Sequence, residues 1–227
     1  MPDVFSLGCA IDVQAFGGSV QPSISVGDNW IQASANAADV GGGICLSSDD
    51  SVSQAQFAVF RNRVLGATGQ ILRAINVTSP SAGSTTVSAN WILGPRLDQA
   101  MIVQRRGTGS HQLRVDNNVI TGQDASGSDA VLIQANSTVT VVNNTLVHSR
   151  GGLRLNAFDS IVSGRYANNL VAFIDGIGLS INGAGNSVSN GHNLVYAVGS
   201  TAWTPGASTL TINPLLERPG YPYPTTS

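Results

Sequence analysis

The sequence has no lysine, and every basic side chain is one of eleven arginines. Glutamate occurs once, at Glu217, and charged residues make up only 11% of the 227 positions, against the roughly one quarter usual for globular domains. The net charge of −2 and the single basic doublet, Arg105-Arg106, give no electrostatic footprint for nucleic acid or an anionic membrane. No apolar run approaches the ~18 residues a membrane-spanning helix needs. The segment Met1-Pro2-Asp3-Val4 has neither the basic nor the apolar region of a secretory leader. No amphipathic pattern of ten or more residues at helical spacing is found. Two cysteines and three histidines are too few and too scattered for a zinc pattern. No phosphate loop, dinucleotide fingerprint or Ser-His-Asp arrangement stands out.

What is abundant is Gly, Asn, Ser, Thr, Val and Ile, a composition that suits short stacked strands joined by tight turns. One phrase recurs, an asparagine followed by apolar residues. Its copies are Asn29-Trp30-Ile31, Asn62-Arg63-Val64-Leu65, Asn90-Trp91-Ile92-Leu93, Asn117-Asn118-Val119-Ile120, Asn143-Asn144-Thr145-Leu146, Asn168-Asn169-Leu170-Val171 and His192-Asn193-Leu194-Val195. Seven copies spaced by 33 residues at first and 24 at the end are the mark of a solenoid. Residues 130–152 show the plan of one coil. Val131–Ala135 is a first strand, Thr138–Val142 an alternating second strand and Thr145–His148 a third. Asn143-Asn144 supplies the tight turn between the second and third, because Asn tolerates the left-handed backbone.

The expected fold is therefore an all-β, single-stranded parallel β-helix of about seven coils over residues 1–216. Residues 217–227 carry three prolines, which rule out a central strand, and form a separate tail. The pattern resembles the right-handed parallel β-helix of the pectate-lyase-like superfamily, and most of all its bacterial extracellular repeat proteins. The Asn-Asn turn carries the likeness, with the ending His192-Asn193-Leu194-Val195-Tyr196 followed by Asn213-Pro214-Leu215-Leu216. In the family an Asp opens that closing phrase; here it is Asn213. The resemblance covers most of residues 20–216 and implies the right-handed fold. It leaves the activity open, because the superfamily holds lyases, hydrolases, epimerases, adhesins and phage spikes.

With equivalent residues stacked coil on coil, the asparagines should form a buried ladder in which each amide bonds to the next. The expected members are Asn29, Asn62, Asn90, Asn117, Asn143 and Asn168, continued by His192; a register one residue later, through Asn118, Asn144, Asn169 and Asn193, is the alternative. Cys9 and Cys45 fall in the first-strand slot of successive coils, as stacked neighbours. Either a disulfide or a pair of buried thiols fits that placement. The glycosylation-like triplets at Asn76, Asn136 and Asn143 are read as chance, since an arginine-only composition points to a high-GC bacterium.

Alternation puts Ile102, Gln104, Leu132, Gln134, Arg154, Asn156, Ser180 and Asn182 on the outer face of the first sheet. In the superfamily's polysaccharide-degrading members that face is the substrate cleft, and it carries carboxylates. Here one column reads Gln104, Gln134, Asn156, Asn182, flanked by Arg154. Such amides could bind sugar hydroxyls, whereas a glycosidase needs two carboxylates and a calcium-dependent lyase several acidic ligands. Asp98, Asp129, Asp159 and Asp175 fall in turns, where Asp serves local hydrogen bonding. Trp30 and Trp91 are expected as partly exposed packing. The expectation is an extracellular or cell-surface module, its leader removed, non-catalytic and without a cofactor, with a structural, adhesive or carbohydrate-binding role. Its partner would be a polysaccharide. The alternatives are a pectate-lyase-like lyase or hydrolase using Arg154 and the turn aspartates, a calcium site at Asp98 and Asp129, and a fibre subunit that stacks through uncapped coil ends.

Overall fold

The computed structural model describes residues 9–17, 21–32, 41–49, 52–66, 72–79, 82–94, 99–105, 111–122, 130–134, 138–156, 163–182, 187–201, 206 and 208–216. The tail from 217 onward, Trp203, Asp98, Asp129 and Asp159 lie outside these residues. Three parallel sheets of seven strands each run the length of the molecule, and each coil gives one strand to each sheet. The first sheet holds Cys9–Ala15, Gly41–Ser48, Leu72–Ser79, Met101–Arg105, Val131–Gln134, Leu153–Asn156 and Leu179–Asn182. The second holds Ser23–Gly27, Gln54–Phe60, Ala82–Ser88, His111–Asp116, Thr138–Val142, Ser163–Ala167 and Ser187–Gly191. The third holds Trp30–Gln32, Arg63–Leu65, Trp91–Leu93, Val119–Thr121, Thr145–Ser149, Leu170–Ile177 and Leu194–Ser200. The described elements are all strands, and the fold is a parallel β-helix.

Alternation along each strand sends every second side chain into the interior, where it stacks on its equivalents. The first sheet contributes the columns Ile11, Ile44, Ile75, Met101, Val131, Leu153, Leu179 and Val13, Leu46, Val77, Val103, Ile133, Leu155, Ile181. The third contributes Ile31, Val64, Ile92, Ile120, Leu146, Val171 and Val195. Branched aliphatics dominate because a stiff, wide side chain on a pleated strand fills the gap to its neighbour about 4.8 Å away.

The turn between the second and third sheets repeats in every coil. Its first residue has left-handed φ, between 52° and 61°, at Asp28, Arg61, Ala89, Asn117, Asn143, Asn168 and His192. The next residue is always Asn, and its side chain points inward. The buried ladder is therefore Asn29, Asn62, Asn90, Asn118, Asn144, Asn169 and Asn193. The expected register held for the first three members and ran one residue early from Asn117 on. Asn117, Asn143, Asn168 and His192 are exposed turn residues, not ladder members. The reason is chemical: the left-handed position wants any residue that tolerates positive φ, whereas the inward position wants an amide.

The first ladder amide, Asn29, donates to Asn62 Oδ1 and to the Gly27 carbonyl, each at 2.9 Å, and the interior members share one pattern. In the fourth coil, Asn118 Nδ2 donates to Asn144 Oδ1 at 3.0 Å and to the Val87 carbonyl at 2.9 Å. Its own Oδ1 accepts both the backbone N–H and the Nδ2 of Asn90, each at 3.0 Å. The last member, Asn193, donates instead to Asn190 Oδ1 at 2.7 Å and to the Tyr166 carbonyl at 3.1 Å. Leucine is close in size but makes none of these bonds. A buried donor or acceptor left unpaired costs on the order of 1–3 kcal/mol.

Cys9 and Cys45 form a disulfide with Cα atoms 5.9 Å apart, joining the first two coils. They are not register partners, as stacking in one slot would require: Cys9 pairs with Gly42, and Cys45 with Asp12. The sulfurs meet over Gly42, where an added Cβ would collide with Cys9 Sγ and lie 3.1 Å from Cys45 Sγ.

Asn118→Leu should lower the unfolding free energy by about 3 kcal/mol or more, because Asn90 loses the acceptor for two donors, while Asn143→Gly, at an exposed left-handed turn position, changes it by only a few tenths; urea unfolding followed by circular dichroism separates the two. Ala89 holds φ 55° without the tolerance of Asn or Gly. Ala89→Gly is expected to stabilise the protein by about 1 kcal/mol, and a fall in melting temperature would contradict the strain assigned to that turn.

Candidate functional site

The amide column expected on the first sheet is in register: Gln104, Gln134, Asn156 and Asn182 are successive strand partners. Gln104 Nε2 donates to Gln134 Oε1, and both residues are half-buried. The side chains of Asn156 and Asn182 lie outside the described residues. The adjacent outward column runs Ile102, Leu132, Arg154, Ser180. All four were expected on the outer face, yet Ile102 is 4% exposed, Leu132 7% and Ser180 6%, and Arg154 is half-buried. This column is therefore largely buried rather than open to solvent.

The second sheet turns a hydroxyl-bearing face outward, with Ser23, Gln56, Ser84, Gln112, Thr138, Ser163 and Ser187 in one row. On its central strand Arg114 forks onto the buried Asp116 carboxylate at 3.0 and 3.2 Å, and Asn117 Nδ2 donates to the same carboxylate at 2.7 Å. That carboxylate is fully engaged. The histidines are dispersed: His111 is buried with Nε2 2.9 Å from Thr85 Oγ1, His148 stacks on Phe173 at 5.0 Å, and the His192 backbone N–H donates to Ser208 Oγ. Asp175 is exposed. Among the described residues no three His, Cys, Asp or Glu side chains group closely enough to hold a metal ion.

The third sheet carries the arrangement that sequence reading missed. The residue after each ladder Asn points outward, and in the first three coils these are Trp30, Arg63 and Trp91, in register on adjacent strands. Trp30 is 63% exposed and Trp91 47%, in line with the partial exposure expected of them. The Arg63 guanidinium lies 5.7 Å from the Trp30 ring and 5.1 Å from the Trp91 ring. The result is a solvent-facing Trp-Arg-Trp stack, each contact worth about 0.5–1 kcal/mol at such exposure.

The turn beside the stack is electrically balanced. Arg61 forks onto Asp28 at 2.7 and 2.6 Å and lies over the Phe60 ring at 4.8 Å. The hydrogen bonds from Arg61 hold the Asp28 carboxyl below its ordinary range. The signal that would have found the stack is the constant Asn-x-aliphatic spacing: the aliphatic points inward, so x must point outward. Beyond the last coil, Leu210, Ile212 and Leu215 are 53%, 61% and 83% exposed, with Leu210 bridged to Leu194.

With a parallel β-helix carrying an exposed aromatic-arginine column, the chain was compared with known proteins: no family model, curated protein or solved structure matches it.

The Asp28 carboxyl should titrate below the ordinary carboxylate range, and Arg61→Gln should move its midpoint upward. The ion pair it reports is present above the unfolded-state pKa and is lost as pH falls through the lowered folded value. A carboxyl-carbon NMR titration of the two proteins checks both statements.

Proposed function

We propose that this chain is a non-catalytic, exported β-helix module that binds carbohydrate through its third sheet. The carrying observation is the solvent-facing column of Trp30, Arg63 and Trp91. Exposed indoles are costly to leave bare in water, and the C–H face of a pyranose ring is a natural partner for them. They project from short strands held in register by the sheet, Trp91 from a strand paired on both sides and Trp30 from the edge strand paired on one, so their spacing is set before a ligand arrives. Little ordering entropy is then lost on binding. In this reading the half-buried Gln104 and Gln134, with Arg154, Asn156 and Asn182, belong to a supporting face rather than to the primary contact.

The Cys9–Cys45 disulfide supports an extracellular or cell-surface location, since such bonds persist in oxidising compartments. The three-sheet plan and the buried Asn ladder support placing the chain with the bacterial, right-handed members of the pectate-lyase-like superfamily.

The test is retention on a panel of immobilised polysaccharides by affinity electrophoresis. The intact protein should be retarded by at least one of them. Trp30→Ala combined with Trp91→Ala should weaken that binding by about 2 kcal/mol, roughly 30-fold, with an unchanged circular dichroism spectrum. No retardation of the intact protein by any glycan, or full retention by the folded double variant, rejects the reading.

A further inference from the structure

We infer that the outer face of the third sheet is a self-association surface, on which a second copy of this chain packs antiparallel about a two-fold axis. The inference goes beyond the carbohydrate reading and does not rest on it. The outward position that holds Trp30, Arg63 and Trp91 continues down the sheet through Val119 and Thr145 to Leu170 and Leu194, and by a single bridge to Leu210. At about 4.8 Å per strand step the stripe is roughly 34 Å long. In this column and the next outward one, from Leu65 and Leu93 to Tyr196, no described side chain is acidic and Arg63 is the single charge. The second sheet is the opposite case, with serine, threonine and glutamine facing outward. A long apolar stripe beside polar turns marks a protein contact. Tryptophan, tyrosine and arginine without Lys, Asp or Glu is the composition of interface cores.

The distribution of exposure along the stripe points to a second copy as its occupant. Its ends are the most exposed, at Trp30 and Trp91 on one side and Leu210 and Ile212 on the other, and the residues between are half-buried. A two-fold axis parallel to the strands, passing between Val119 and Thr145, sets the tryptophan end of each copy on the leucine end of the other. Trp30 then meets Leu210, Arg63 meets Leu194 and Trp91 meets Leu170. The same patch serves both copies, as an isologous contact requires. The other two-fold, along the solenoid, would set Arg63 on Arg63, and like charges brought together at a contact disfavour it. The turn column beside the stripe, from Asp28 and Arg61 to His192, supplies the polar rim. With that flank the covered strip is about 15 Å wide, so roughly 500 Å² is buried per copy and about 1,000 Å² in all, the least that a specific pair needs. The dimer is accordingly a reversible one. Where a glycan also binds, it competes with the second copy for Trp30 and Trp91.

A lipid surface would also cover an apolar stripe, but interfacial binding draws on a polar face rich in Lys and Arg beside it. Here the flanking turns hold one balanced Asp28–Arg61 pair and uncharged amides, on a protein of net charge −2. The observations favour the second copy.

The experiment is sedimentation equilibrium of the full, oxidised chain. Between about 1 and about 300 µM, the range suited to a contact of this size, the mass should rise from one chain toward two. Thr145→Glu, whose two copies meet beside the axis, should leave a monomer with an unchanged circular dichroism spectrum. Trp30→Ala and Leu210→Ala should each weaken the dimer roughly tenfold or more. Together they should weaken it by clearly less than the product of the two, because in the antiparallel pair they touch each other. Arg165→Gln, exposed on the second sheet, should change nothing. A monomer at every concentration, or a dimer that Thr145→Glu leaves intact, overturns the inference. Independent effects of Trp30→Ala and Leu210→Ala overturn the antiparallel pairing. A monomer that floats with phosphatidylcholine vesicles gives the face to a lipid surface and overturns it as well. The dimer is read from mass and the carbohydrate reading from retardation, so either can fail without the other.

Discussion

The molecule depends on one hydrogen-bonded unit repeated from coil to coil, the buried asparagine amide. Its Oδ1 accepts two N–H groups from the coil before, and its Nδ2 reaches both the next amide and a carbonyl of the coil before. A helix of stacked coils has an apolar interior, and at the corner between two strands the backbone turns inward-facing polar groups that neighbouring strands do not pair. The amide fits because it donates and accepts at once, so that a column of identical side chains satisfies itself. It also fixes register. Strand side chains alternate with period two, so a slip of one residue would exchange core and surface along a whole strand. The chain resists that slip because it would bring an unpaired amide out of the column and a polar gap into the core.

Much of this was legible in the sequence, and the places where it was not have specific causes. Alternation in Thr138–Val142 marks a strand directly, and the structure has it with those bounds; the apolar run expected as a strand over Val131–Ala135 is one over Val131–Gln134, with Ala135 outside the described residues. The repeat of Asn before an aliphatic residue marks the solenoid. The Asn-Asn doublets were ambiguous, because one asparagine serves positive φ and the other the core, and the two demands look alike in a list of letters. The first coils break the tie. There the left-handed residue is Asp28, Arg61 or Ala89 and only one asparagine follows. The disulfide was readable as an open alternative from spacing, yet its detailed pairing depends on Gly42 leaving room for two sulfurs that are three residues out of register.

The functional face was harder to see for two reasons. Outward direction is not the same as exposure: Ile102 and Leu132 point out of the first sheet and are still buried. Trp30, Arg63 and Trp91 are separated by 33 and 28 residues, and nothing local says they touch. Only the ladder, one residue earlier in each coil, converts those intervals into adjacent strands. The charge of the site was equally invisible in composition. Arg61 and Arg63 are two residues apart and chemically identical, but one is neutralised by Asp28 and the other is held between rings.

The disulfide lies in the same coils as the exposed column. Trp30 lies in the first coil, at the edge of the third sheet, on a strand of only three residues with one pairing partner. An edge strand that short would fray, since few bonds oppose the backbone entropy gained on release. The Cys9–Cys45 bond ties the first sheet of that same coil to the second coil, which carries Arg63. Crosslinking the two coils limits how far the first can separate and so restricts the open states available to it. The bond thus acts on the opposite side of the coil from the stack and still helps to keep Trp30 over Arg63. Within this chain the asparagine ladder sets which side chains face outward, and the disulfide keeps the outermost of them in place.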